Sequence, residues 1–136
     1  MKLLSFLFAR SVSRFGTVVS VHEVIGDIAV DSPARVVDLG SLIEVEFDAE
    51  APGTPVDFEL SLRVQTWAAR QIPEAAVRRG GTWIVPAQRD ELVPPRLVLT
   101  WDLRVPVDDF GRYEFRLYGN GELVGSRVMA VVPKGE

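Results

Sequence analysis

Between Val56 and Thr66 every second residue is apolar: Val56, Phe58, Leu60, Leu62 and Val64 alternate with Asp57, Glu59, Ser61, Arg63 and Gln65. A period of two sends the apolar side chains to one face of a strand, whereas a helical stripe would need a period of about 3.6. The pattern recurs at Ser41 to Asp48 and at Pro95 to Val105, where Leu97, Leu99, Trp101, Leu103 and Val105 form the apolar set. It recurs again in Gly111 to Tyr118, with Tyr113, Phe115 and Leu117 set against Glu114, Arg116 and Tyr118. The turn Gly119-Asn120-Gly121 and the arm Glu122 to Val132 follow, and Asn-Gly tolerates the positive φ values of a tight hairpin. Each side chain of this size contributes about 1.5–3 kcal/mol on burial, so these strands suffice for a core.

The flanking segments extend the pattern. Leu3 to Ala9 is apolar on both faces, as expected of a strand covered on both sides. Thr17 to Ile25 is rich in valine, and a short Ile28-Ala29-Val30 lies between the breaks at Gly26-Asp27 and Asp31-Ser32-Pro33. The chain of 136 residues is expected to form one domain over residues 1–136. Its expected fold is an all-β, immunoglobulin-like or C2-like antiparallel β-sandwich of about seven to nine strands.

Residues 67–93 depart from this pattern and are too long for a simple hairpin loop. Pro73-Glu74-Ala75-Ala76-Val77-Arg78-Arg79 reads as one short helix. Proline suits its first turn, glutamate its positive end and the arginines its negative end. Gly80-Gly81 is expected to terminate it, before a brief strand at Thr82 to Val85.

Composition narrows function by exclusion. The chain has no cysteine, hence no disulfide and no thiol nucleophile. With one histidine it has too few nitrogen and sulfur ligands for a transition-metal centre, so no metal or cofactor is expected. The net charge of −4 disfavours nucleic acid, which calls for a dense basic stripe. That total hides two blocks: residues 17–62 carry ten carboxylates against Arg35 alone, and residues 63–104 carry seven arginines against four acids. The run Leu3 to Ala9 is far short of the ~20 residues that span a bilayer and has no small-x-small cleavage site after it. We therefore expect a cytoplasmic protein that does not bind membranes.

Three groups of residues, Lys2-Leu3-Leu4 with Leu7-Phe8-Ala9, Val18-Val19-Ser20-Val21 with Val24-Ile25, and Phe110-Gly111-Arg112-Tyr113 with Asn120-Gly121-Glu122-Leu123-Val124-Gly125, carry a resemblance. Together they resemble an uncharacterised bacterial family of small β-sandwich proteins, a domain of unknown function. The resemblance covers the chain except about residues 66–94. It implies a fold and brings no catalytic residues.

The residues offer several candidate chemistries. His22, between Val21 and Glu23, would have to serve any Ser-His-Asp hydrolase, yet no Gly-x-Ser-x-Gly context accompanies it. Asp27, Asp31, Asp38, Asp48, Asp57 and the pair Asp108-Asp109 lie near turns, the setting in which a C2-like domain gathers oxygen ligands for calcium or lipid. Glu44, Glu46, Asp57 and Glu59 are the candidate paired carboxylates. Trp67, Arg70, Arg78, Arg79 and Trp83 form the leading cluster, since tryptophan and arginine concentrate binding energy at interfaces. The expected function is a non-enzymatic binding module, contacting a protein partner or a second copy of itself through residues 67–93. A C2-like domain is the alternative, and a small hydrolase stands behind it.

Overall fold

The computed structural model describes residues 1–16, 18–31, 35–67, 71–72, 78–107 and 109–135; at 35, 71, 72 and 78 it describes the backbone alone. Among the described residues the fold is all-β, with ten strands: β1 (Lys2–Phe15), β2 (Val18–Ile25), β3 (Ile28–Val30), β4 (Arg35–Glu46), β5 (Pro55–Thr66), β6 (Gln71–Ile72), β7 (Arg78–Ile84), β8 (Arg96–Val107), β9 (Gly111–Gly119) and β10 (Glu122–Pro133). They form two sheets. The first has the order β2-β1-β4-β8; the second runs β3-β10-β9-β5, with β6 and β7 sharing the far edge of β5. Pairing is antiparallel except for β3, which lies parallel beside β10.

The period-two pattern accounts for the core. Phe58, Leu60, Leu62 and Val64 of β5 meet Tyr113, Phe115 and Leu117 of β9, and Ile43, Val45, Leu99, Leu103 and Val105 face them from the first sheet. Phe8 of β1 and Phe115 of β9 touch across the gap, ring centres 4.6 Å apart. Both sheets thus close on one apolar cluster. The second sheet also curls toward the first along one side. There Trp83 of β7 packs edge-on against Trp101 of β8 at 5.5 Å, and Arg79 Nε donates to the Asp102 carbonyl at 3.4 Å.

The doubly apolar β1 is covered on both faces, as its composition required. Phe6 and Phe8 enter the core, while Ala9 faces the other way and is still fully buried. Its cover is the chain itself. Beyond Ala9 the strand leaves β4, and the β1–β2 hairpin folds over the outer side of the first sheet. A Cβ on Gly40 would lie 2.9 Å from the backbone nitrogen of Val12, so only glycine admits this crossing. Arg14 then reaches the Val98 carbonyl on β8, at 2.9 Å.

The helix expected over 73–79 does not survive where it is described. Arg78 and Arg79 open β7, Gly80 and Gly81 lie within that strand, and residues 73–77 fall outside the described residues. The free edge of β5 supplies the reason. It pairs with β7 over seven residues, from Pro55↔Ile84 to Ser61↔Arg78. Gly80 allows the close approach that pairing demands, since a Cβ there would lie 3.1 Å from the Phe58 carbonyl; one on Gly81 would lie 2.9 Å from the Trp83 ring, which folds over it within β7. Within the 67–93 segment, β7 is therefore part of the scaffold rather than an excursion from it. Among the described residues no helix is long and apolar enough to cross a membrane.

Polar groups are also tied into this core, among them Ser41, whose hydroxyl donates to the Trp101 carbonyl at 3.0 Å. The buried Tyr113 donates its hydroxyl to the Asp109 carbonyl at 2.8 Å, tying the start of β9 to the turn before it. Tyr113→Phe should cost about 1–3 kcal/mol, since it removes a hydrogen bond made by a fully buried side chain. Urea unfolding measures it, and an unchanged midpoint would show that the bond contributes nothing.

Candidate interaction face on the second sheet

The outward residues of β5 are Asp57, Glu59, Ser61, Arg63 and Gln65. Register places Tyr118 of β9 opposite Glu59, Arg116 opposite Ser61, Glu114 opposite Arg63 and Arg112 opposite Gln65. On the other side of β5, Thr82 stands opposite Asp57 and Gly80 opposite Glu59. Side chains directly opposite one another in neighbouring strands share a face, so these residues form one polar surface.

Two concavities divide that surface. The larger, about 460 Å³, opens where Gly80 and Gly81 present no side chains; Asp57, Glu59, Thr82 and Tyr118 surround it. Its floor is held rigidly. Thr82 donates to Asp57 at 2.5 Å, and the β9–β10 turn locks onto β5 through Asn120 N to the Asp57 carbonyl (2.8 Å) and Asp57 N to Asn120 Oδ1 (3.0 Å). The smaller concavity, about 240 Å³, is lined by Arg63, Gln65, Arg112, Glu114 and Arg116. Arg116 Nε donates to Glu114 at 2.7 Å. Hydrogen bonds to Glu114 and Tyr118 raise the Arg116 pKa above its ordinary value, fixing it as a cation. Glu59 to Arg63 spans four residues of strand, about 13 Å, so the acidic and basic ends are separate sites.

The leading cluster from the sequence is not brought together. Trp83 turns inward against Phe58 and Trp101. Trp67 is 65% exposed, its ring tilted 41° against Phe110 at 5.4 Å beyond the far end of β5. Trp83 pairs at Val56, so the two indoles are separated by nearly the length of β5, about 35 Å. Arg79 bridges the sheet edges, the Arg78 side chain is outside the described residues, and so is Arg70. The residues that do converge were legible only as outward positions on two strands, since alternation does not reveal which strands are neighbours.

The other candidates disperse as well. His22 stands opposite Ser11 in β2 with Glu23 at 3.7 Å, but its side chain is 72% exposed and it lines neither of the two concavities. Asp27 accepts from Ala130 N, Asp38 pairs with Arg104, Asp48 receives the Met1 ammonium at 3.0 Å, and Asp109 accepts from Phe110 N. Among the described residues no three metal-ligating side chains cluster. Glu44 and Glu46 lie on the first sheet, Asp57 and Glu59 on the second, so these four carboxylates cannot share a cleft.

No family model matches this chain, and no curated protein is similar to it in sequence. Among solved structures it is similar to the Pseudomonas fluorescens alkylpurine DNA glycosylase AlkC bound to DNA containing an abasic site analog, at 8% identity over 74% of this chain, with a TM-score of 0.48. It is also similar to a protein from Bacteroides fragilis assigned as a beta-galactosidase, at 14% identity over 76% of this chain, with a TM-score of 0.41. The chain spans 27% and 15% of those two proteins. At such scores neither likeness bears on what this chain does.

Proposed function

We propose that this chain is a non-enzymatic binding module that docks a protein partner on the outer face of its second sheet, around the concavity at Gly80 and Gly81. One observation carries this reading: the two outer faces are unequal. The first sheet is roofed by its own hairpin, with Val12 against Gly40 and Arg14 on Val98. The second carries no such cover among the described residues and has a rigid notch edged by Asp57, Glu59, Thr82 and Tyr118. β7, the described core of the 67–93 segment, forms one wall of that notch.

We further read the arrangement as immunoglobulin-like. In its support, β3 joins the sheet parallel to the C-terminal strand, the order β10-β9-β5-β7 follows, and the hydroxyl of Tyr113 returns to the backbone four residues upstream. That return resembles the tyrosine corner of such sandwiches and supports the reading.

A photo-crosslinking side chain at Tyr118 tests the docking face. It should give a discrete product in native-host extract, and the same probe at Val36 on the first sheet should not. Thr82→Arg fills the notch without touching the core and should abolish the Tyr118 product while the protein still unfolds cooperatively with its strand circular-dichroism signal kept, the exposed Thr82–Asp57 bond being its one loss. Persistence of that product, or an equal one from Val36, would overturn the reading. Deleting 68–92 is not an equivalent test, because it removes β7 and the inward-packed Trp83.

A further inference from the structure

We propose that the arginine-lined concavity between β5 and β9 binds an acidic segment of the partner, in extended conformation, through Arg63 and Arg112. This rests on the reading that the outer face of the second sheet is the docking face, and adds the chemistry of what docks there. The starting observation is an imbalance of charge. Arg63, Arg112 and Arg116 surround one carboxylate, Glu114, and Arg116 holds it at 2.7 Å. Among the described residues neither Arg63 nor Arg112 has an ion pair or a side-chain hydrogen bond. Two guanidiniums are thus left facing the same 240 Å³ space, in a chain whose net charge is −4. A cation pair held together on a sheet is unfavourable until an anion enters, and guanidinium forks donate bidentately to carboxylates.

Register decides which anion fits. Arg63 lies opposite Glu114 and Gln65 opposite Arg112, so Arg63 and Arg112 are diagonal neighbours on adjacent strands. Such positions stand about 7–8 Å apart. Alternate residues of an extended chain lie about 6.7 Å apart and face the same way. Glutamates at positions i and i+2 of an extended partner segment therefore meet the two arginines together, with Gln65 and the Arg116-paired Glu114 at the other two corners of the square. A lone phosphate meets both forks only where the two side chains converge on one point, whereas two carboxylates meet them where they stand.

The test uses the full chain and a fluorescein-labelled hexapeptide of alternating glutamate and alanine, followed by fluorescence anisotropy. Arg63→Gln and Arg112→Gln should each weaken binding at least tenfold. Arg104→Gln, which removes a cation of the first sheet paired with Asp38, should leave it unchanged. Binding should also weaken as sodium chloride is raised, because the contacts are exposed. No binding by the wild-type chain, equal binding of a peptide carrying one glutamate, or retention of affinity in Arg63→Gln and Arg112→Gln would overturn the inference. If the Tyr118 crosslink forms while the acidic peptide fails to bind, the docking face stands and its proposed chemistry falls. If the crosslink also fails, the docking face falls with it.

Discussion

Replacing Phe115 with alanine should lower the unfolding free energy by about 4 kcal/mol, the largest single-residue loss expected in this chain. Phe115 is fully buried at the middle of β9, which is itself paired on both edges, to β5 and β10. Its ring meets Phe8 of the opposite sheet at 4.6 Å, and Phe8 in turn meets Phe6 at 5.3 Å. The substitution therefore removes a central contact between the two sheets, and the flanking strands, held by their ladders, cannot collapse into the void. Domains of this size have about 5–15 kcal/mol in total, so the variant should fold but sit near its limit. Urea unfolding checks this. The midpoint should fall with the slope unchanged, as expected when compactness is kept and stability lost. A loss below about 1.5 kcal/mol would mean that the site relaxes into the cavity far more than a laddered strand permits.

Much of that core was visible in the sequence. The alternations at Val56–Thr66, Pro95–Val105 and Tyr113–Leu117 each became a strand with the expected face buried, because burial on one side of a sheet and period-two patterning are the same physical fact. The doubly apolar Leu3–Ala9 likewise became an interior strand. What could not be read was tertiary. Pro73 to Gly81 carries sound local helix signals, yet Arg78 to Gly81 pair with β5, since an unfilled sheet edge outweighs the weak propensities of four residues. The same limit hid the candidate site. Arg63 and Arg112 are 49 positions apart and look like ordinary solvent-facing residues until the β5–β9 register sets them diagonally across one concavity. Trp67 and Trp83, close in sequence and rich in interface chemistry, ended at opposite ends of one strand.

A second large effect is expected at Gly111, where alanine should cost about 3 kcal/mol and lower the melting temperature by roughly 10 °C. The position is a contact between backbones. A Cβ there would stand 2.3 Å from the Gln65 carbonyl oxygen and 2.8 Å from the Thr66 Cα, neither of which can swing aside as a flexible side chain can. Relief requires moving the start of β9 away from the end of β5. That movement breaks the Thr66↔Gly111 pairing and the Trp67 N to Phe110 carbonyl bond of 3.0 Å, and it strains the Tyr113 tether to Asp109. Gly26→Ala is the matched control, since a Cβ at that site meets nothing within 4 Å. It should change stability by no more than about 0.5 kcal/mol. Thermal melts of the two variants side by side separate close packing from the general loss of a glycine: equal melting temperatures would mean that β5 and β9 do not approach as closely at Gly111 as their register demands.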